Sequence, residues 1–567
     1  MSPREKRRAI AAAFGLAVLL SLPYLAALGV TPPERAYMGH IWNPDEPNVY
    51  YAWMRQAAEG RFFLEDLFTT EPQEGRFTNP LWLALGRVSA IHRDAVPWVY
   101  AAARLLCAAG LFYSLYAFVA AFGATRRVRW AAMLLGATAS GLGWLAPLIA
   151  PALPPDLTLY GVDVGLSARG GVVRDDLMMP ETNTFASALL LPLFSFSMTL
   201  LLWLVLTAWR ALRNTDFRAA AWSGLIGLLL GGVHTYDMIP AHLLWGALIV
   251  VVAALGRATW RTLAAYAVFA VVSAPTLLYQ VFAFRNDPVF QEKGMTITAS
   301  PPLLSIAFSF GLPLLLAVAG AILVLRRREW QWLPVICWAV VTIAAAYLPN
   351  LSFQRKMIEG AHLPIVILAA IATVRWLPHL KAPRVRGHRL RSKVAMAAVI
   401  LACLPSAAYF LVGRCMDSVV TNNMNRASAT FMPPYTLSRD DVACALWLRD
   451  EGEPGAVGCL SMLGSYLPGM TGRKVWVGHW AETLRFPSKL NSAFGLLIVP
   501  MPSEARKVLD ACRYVVDGEF ERAIRGDGQD PRVTARESGY ELVPVYSSGE
   551  SVVYEVRPNP PSQPAEP

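Results

Sequence analysis

The sequence predicts a mainly α fold: a polytopic membrane helical bundle of about eleven spans, N-in/C-out, with a small C-terminal extracytoplasmic α/β domain. Three observations predict it. Of 567 residues, 55% are hydrophobic and only 16% are charged, and mean hydropathy is +0.39, whereas a water-soluble domain is nearer a quarter charged. Eleven stretches approach the roughly 20 apolar residues that a helix needs to cross a bilayer. Basic segments alternate with acid-bearing ones along most of the chain. The composition excludes a soluble enzyme, a disordered chain and a soluble nucleic-acid binder.

The spans are placed near 9–30, 97–122, 129–150, 186–208, 218–233, 239–255, 262–283, 303–325, 331–348, 363–377 and 393–413. The fifth, sixth and tenth are short. The first has the basic flank of a signal peptide, but its apolar run is span-length and more spans follow, so it reads as an uncleaved anchor. Six segments, before the first span and after the second, fourth, sixth, eighth and tenth, hold 22 Lys and Arg against three acids (Glu5, Asp216 and Glu329). That asymmetry marks the cytoplasmic face. The formal net charge of +11 is therefore a topology signal, and no nucleic-acid partner is expected. The apolar stretch 79–91 is too short to span and reads as a helix in the outer interface.

The cytoplasmic loops carry no GxxxxGK[ST] phosphate loop and no GxGxxG after a strand, so any chemistry belongs outside, where the long loops lie. Outer loop one, 31–96, holds the acidic pair Asp45-Glu46 between Pro44 and Pro47. A carboxylate there is suited to taking a proton from an attacking group; the plainer reading is a helix N-cap. Outer loop two, 151–185, holds Asp175, Asp176 and Glu181. These are hard oxygen ligands suited to Mg²⁺ or Mn²⁺ if brought together; otherwise they belong to an ordinary solvated loop. His234-Thr235-Tyr236-Asp237 joins the fifth and sixth spans and reads either as a polar site or as a satisfied turn. Outer loop four carries Arg355-Lys356, against the charge rule, followed by Glu359 and His362. A lipid-borne phosphate is a natural partner for such cations; the alternatives are a pairing with Glu359 or ordinary head-group contact.

The order of these elements resembles the GT-C superfamily of integral-membrane glycosyltransferases, and within it the protein O-mannosyltransferase and aminoarabinose transferase branch. The resemblance covers roughly residues 9–377. It is carried by Asp45-Glu46 in a large first outer loop, the aromatic stretch Tyr50 to Met54, the interfacial Asn79-Pro80-Leu81-Trp82, Arg104-Leu105-Leu106 in the second span, the Gly-rich Gly224 to Gly232, and Gln354-Arg355-Lys356 before Leu363-Pro364. Relatives often place a His or a second Pro where Asn79 stands. No WWDYG-like motif is present, which argues against N-linked transfer. The resemblance implies a multi-pass cell-membrane enzyme with an extracytoplasmic active site. It would move a sugar, with inversion, from a polyprenyl-phosphate donor to a protein, lipid or glycan acceptor. Asp45 would be the base with Glu46 beside it; Arg355 and Lys356, with His362 or His234, would hold the donor phosphate. A divalent cation (Mg²⁺ or Mn²⁺) held by Asp175, Asp176 or Glu181 stays open. The competing reading is a polytopic transporter or lipid flippase, which calls for charges along a path and for repeats; the sequence shows few mid-span charges and no clear repeat.

Residues 1–413 are thus expected to form the bundle, with loop 31–96 inserted, 414–557 the α/β domain and 558–567 a disordered tail. Strands are expected at 456–460, 474–478, 496–499, 514–516 and 552–556, with helices at 440–451 and 503–511. Of the seven Cys, Cys415, Cys444, Cys459 and Cys512 fall outside the cytoplasm, so a disulfide among them is allowed.

Overall fold

All eleven apolar stretches contain helix in the computed structural model, which describes residues 1–145, 148, 158–159, 162–163, 176–177, 179–379, 388–422, 433–525 and 529–559. Among the described residues eight helices are long and apolar enough to cross a membrane, and Phe217–Val233 and Trp330–Ala345 are shorter apolar helices. The protein is a multi-pass membrane protein. The chain divides into two units. One comprises Met1–Leu22, Ala102–Val281 and Ile297–Cys415; the other comprises Pro23–Ala101, Phe282–Thr296 and Met416–Pro567.

In the first unit the helix His362–Arg375 is buried from His362 through Val374. It packs against the helices Arg126–Thr138, Leu303–Arg326, Leu333–Ala345 and His388–Phe410. Glycines on its neighbours let the backbones approach, which is how helices associate where lipid removes the hydrophobic driving force. Gly320 shows how closely: a Cβ there would lie 2.1 Å from the Leu368 carbonyl oxygen. The lipid-facing side is apolar and unprotected, as a bilayer allows, with Leu263, Val271 and Leu278 all exposed on the helix Trp260–Asn286.

Two spans depart from expectation. The third stops at Thr138, short of the expected 150. Beyond it Ser140 N–H donates to the Cys403 carbonyl (3.2 Å) and Leu142 N–H to that of Phe308 (3.0 Å), so neighbouring helices satisfy the backbone instead of the next turn. The fourth is broken into Thr184–Leu190 and Pro192–Asn214. Pro192 lacks an N–H and forces Leu191 into an extended conformation (φ −132°, ψ 123°), as a residue before proline prefers.

Segments expected on one face meet one another. Glu5, before the first span, pairs with Arg129, after the second (2.8 Å), and Glu329, after the eighth, pairs with Arg375, after the tenth (2.7 Å). The third acid of the basic segments, Asp216, caps the helix Phe217–Val233 through Arg218 N and Ala219 N. Among expected outer segments, Thr298 N donates to the Ser352 carbonyl and Arg355 N to that of Thr298 (3.0 Å).

The second unit is α/β. A four-stranded sheet runs Val457–Gly458, Tyr514–Asp517, Ser551–Pro558, Tyr540–Ser548 in spatial order. Its first pair is parallel and the others antiparallel. Leu448, Val457, Leu463 and Val515 lie in its core. The helices Arg439–Asp450 and Pro502–Ala511 stand where expected. Residues 496–499 do not form a strand: the helix Phe486–Leu497 ends within them, burying Ala493, Leu496 and Leu497 on one face. Residues 474–478 contribute only a bridge between Val475 and Val457. The edge strand Tyr540–Ser548 was not anticipated, because Glu541 and Pro544 interrupt its apolar alternation. Arg35–Tyr37, from the first outer loop, pairs antiparallel with Thr436–Ser438. Asn79 caps the short helix Pro80–Ser89 by accepting from Leu81 N and Trp82 N, which gives the departure from the family pattern a local role. All seven cysteines are free. The expected tail lies outside the described residues except for Pro558, which closes a strand, and Asn559.

Gly320→Ala forces the Leu368 backbone away. We expect a loss of about 1–3 kcal/mol from overpacking, read as a lower thermal unfolding midpoint in detergent, with Gly246→Ala, where a Cβ meets open space, as the neutral control.

Candidate functional site

The polar residues of the first unit gather where helices break. Three short 3₁₀ turns, Pro180–Thr182, Thr235–Asp237 and Gln354–Ile358, come together, the last touching the other two. Each precedes a helix, so each delivers side chains at a helix end. Gly360, with φ +78°, joins the third turn to the helix His362–Arg375. The left-handed φ favours glycine at the turn, and a Cβ there would also push on Leu201 Cδ1, 2.8 Å away.

Arg355 Nε stands 3.6 Å from Glu181 Oε1. That is an ion pair at the edge of contact: Nε has no hydrogen-bond partner, and the Arg355 side chain remains 37% exposed. Lys356 Nζ lies 4.6 Å from the Tyr236 ring centroid and donates to its hydroxyl at 3.4 Å. The anticipated pairing of these cations with Glu359 is not the arrangement found. Glu359 instead faces His234, Oε2 to Nδ1 at 3.3 Å, and accepts from the Ser197 hydroxyl. Asp237 Oδ2 lies 3.1 Å from the same His234 nitrogen. Residues 234–237 do form a turn, Asp237 N–H donating to the His234 carbonyl at 3.2 Å, but Asp237 occupies the N-cap position of the helix Met238–Ala254 without making a side-chain cap hydrogen bond. His362 is buried with Nδ1 2.9 Å from the Thr184 hydroxyl and 3.1 Å from Thr184 N.

Of the acids considered as metal ligands, Glu181 is engaged by Arg355. Asp176 Oδ2 accepts from Gly143 N at 3.3 Å, and burial pushes the Asp176 carboxyl up to about 6 against several hydrogen bonds that lower it. Asp175 lies outside the described residues. The group with the spacing of a metal site among the described residues is another, His234, Asp237 and Glu359.

In the second unit the helix Asp45–Ala58 opens with the acidic pair, where negative charge is favoured by the helix dipole. The N-cap position falls on Pro44, which offers no side-chain cap, and Asp45 is the first helical residue. It is 2% exposed, and its Oδ1 accepts from the Ser465 hydroxyl at 3.2 Å. Burial raises the Asp45 carboxyl above the usual range, with nearby His479 and Ser465 pulling it partway back. Glu46 accepts from the Tyr50 hydroxyl (2.7 Å). Tyr50 stacks on Trp82 at 4.2 Å, and Trp82 on Tyr100 at 6.1 Å, giving an aromatic wall beside the pair. His479 is a structural residue: its Nδ1 accepts from Ala481 N and Glu482 N.

A further ionic cluster was not visible in the sequence. Lys293 Nζ pairs with Glu482 and lies 3.3 Å from Asp66 Oδ2, with the Phe290 ring centroid 4.6 Å away. Lys489 similarly binds Glu71 (2.6 Å) and Thr69 (2.8 Å). Burial raises the Asp66 carboxyl to about 6 although Lys293 draws it down, and the two acids raise Lys293 in turn. Lys293, in the short helix Pro288–Gly294, Asp66 and Glu482 are far apart in sequence, so no spacing pattern announces them.

The chain is similar to a crystal structure of ArnT from Cupriavidus metallidurans bound to undecaprenyl phosphate, at 14% identity and a TM-score of 0.44, covering 95% of this chain and 98% of that one. It is similar to the same protein in the apo state at 14% identity and a TM-score of 0.45, covering 96% and 98%. No family model and no curated protein matches the sequence.

Lys293→Met leaves two carboxylates without their shared cation. Removing one partner of a buried pair costs about 3–5 kcal/mol, read in the unfolding midpoint at pH 7. An acid whose folded-state pKa is raised, here from 3.8 to about 6, loses stability as pH rises through that window. Without Lys293 the window moves higher still, so the deficit relative to wild type should be smaller at pH 5 than at pH 7.

Proposed function

We propose that this protein is a membrane glycosyltransferase of the GT-C type, moving a sugar from a polyprenyl-phosphate carrier to an acceptor outside the cytoplasm. The observation that carries the proposal is Arg355. It stands where a basic residue opposes the topological charge pattern, keeps an unpartnered Nε, and retains more than a third of its surface. A guanidinium so loosely held is available to a phosphate, which it binds through two parallel N–H donors. Lys356, next in sequence, adds a second cation. His234 and His362 are buried and already face protein groups, so the donor-phosphate role rests on Arg355 and Lys356.

Displacement at an anomeric carbon needs a proton acceptor for the attacking group and charge relief for the departing phosphate. Asp45 supports the first role. Its raised carboxyl is a stronger base than an exposed aspartate, and the Ser465 hydroxyl orients it. Glu46, tied to Tyr50, supports it as a neighbour. A single displacement by an acceptor activated in this way inverts the anomeric centre. The aromatic wall of Tyr50, Trp82 and Tyr100 offers the flat apolar faces on which sugar rings pack. The acceptor classes that fit are a protein, a lipid or a glycan presented at the membrane surface.

The test is transfer from a panel of radiolabelled polyprenyl-phosphate sugars to membrane extracts by the purified protein. Asp45→Asn, nearly isosteric and still able to accept from Ser465, should lower kcat by about 10²–10⁴-fold, with the unfolding midpoint unchanged. Arg355→Ala should raise KM for the lipid donor more than it lowers kcat. Full activity in Asp45→Asn removes that residue from the mechanism, and no transfer from any donor removes the assignment.

A further inference from the structure

We propose that His234, Asp237 and Glu359 form a binding site for one divalent transition-metal ion of the zinc class. The inference does not rest on the transferase reading.

The three ligand atoms are spaced as around one point charge. His234 Nδ1 lies 3.1 Å from Asp237 Oδ2 and 3.3 Å from Glu359 Oε2, and the three ligand atoms all fall within 4.8 Å of one another. Zinc binds nitrogen and carboxylate oxygen at about 2.0–2.2 Å in a tetrahedron, whose edges are then about 3.3 Å long. The side chains are 6%, 1% and 0% exposed. His234 Nδ1, both Asp237 carboxylate oxygens and Glu359 Oε2 are buried and make no hydrogen bond. Atoms that approach this closely without forming hydrogen bonds are an unusual arrangement, because a buried polar group without a partner is costly. A metal ion satisfies all three together, and it needs no directed N–H···O geometry.

The chain is built to present these atoms. His234 follows the last turn of the helix Phe217–Val233, and the 3₁₀ turn that follows brings Asp237 back toward it. The hydroxyl of Ser197 holds Glu359 Oε1 and leaves Oε2 to the shared centre. Such an outer hydrogen bond orients a ligating carboxylate. The Phe194 and Tyr236 rings stand edge-on to the imidazole at 5.8 and 5.5 Å and fix its plane. One imidazole with two carboxylates selects zinc and its borderline neighbours over calcium or magnesium, which prefer all-oxygen shells. Three protein ligands leave a fourth position open, as in zinc sites that bind water or substrate. The competing account is a protonated imidazole between two carboxylates with no ion. Its single Nδ1 proton serves one acid and leaves the other unpartnered.

The experiment uses the full-length protein in detergent, stripped with EDTA, incubated separately with excess Zn²⁺, Mn²⁺ or Mg²⁺, desalted, and measured by mass spectrometry of the metal. We expect one zinc per chain in the wild type, weaker retention of manganese and none of magnesium. Asp237→Asn and Glu359→Gln keep side-chain volume and should each lose the retained zinc while the protein still elutes as a single folded species. His234→Ala is a third arm, judged only if it folds. Failure of the wild type to retain zinc overturns the proposal and favours the protonated triad. Undiminished zinc in both isosteric variants also overturns it, since the ion then sits elsewhere.

Discussion

A bilayer supplies no hydrogen bond to a polar group, and that one constraint organises the first unit. The backbone of the helix His362–Arg375 is satisfied internally, so the helix can be buried on every side. Gly320 of the helix Leu303–Arg326 then lets that neighbour approach at backbone distance. Several of the unit's ionisable side chains gather where the helices stop. The turns before this central helix and before Thr184–Leu190 and Met238–Ala254 carry Arg355, Lys356, Glu359, Glu181, His234 and Asp237. The bundle thus holds these side chains at helix ends, with His234, Asp237 and Glu359 buried and Arg355 partly exposed.

The second unit meets the same cost differently. Its buried cations, Lys293 and Lys489, are each shared between segments distant in sequence, Lys293 between Asp66 and Glu482, and Lys489 with Thr69 and Glu71. A buried pair of this kind contributes little net stability against well-packed apolar residues. Its effect is to penalise arrangements in which these segments separate. Asp45, by contrast, has no cation within ion-pair distance among the described residues, only a hydroxyl, and this leaves its carboxyl with raised proton affinity. Asp45 is thus held by a hydroxyl, whereas the acids that join distant segments are paired with cations.

Some of the site was readable because each residue broke a local rule. Arg355 and Lys356 were visible as positive charge on the wrong face, and Asp45-Glu46 as an acidic pair between prolines at a helix start. Asp237 and His234 were visible as polar residues where two spans meet. Glu359 was noticed only as a partner for the cations beside it, yet it turns toward His234, because Gly360 directs the chain and Ser197 fixes the carboxylate. Lys293, Asp66 and Glu482 broke no rule; charged residues in polar segments are unremarkable until the segments are brought together. In the second unit, Leu496 to Val499 read as a strand because a short apolar run is compatible with either buried helix or strand; packing of Ala493 and Leu497 on one face decided for helix.

By itself the sequence determined that the chain crosses the membrane many times, which of its segments are basic, and where two helices of the second unit, Arg439–Asp450 and Pro502–Ala511, lie. Hydropathy and charge asymmetry are sums over many residues, and no single contact reverses them. Only the tertiary structure decided which charge meets which. That choice depends on a few ångströms at helix ends, where Pro192 interrupts one helix, Gly360 turns the chain and Ser197 holds a carboxylate, and such distances are set by packing between elements far apart in the chain.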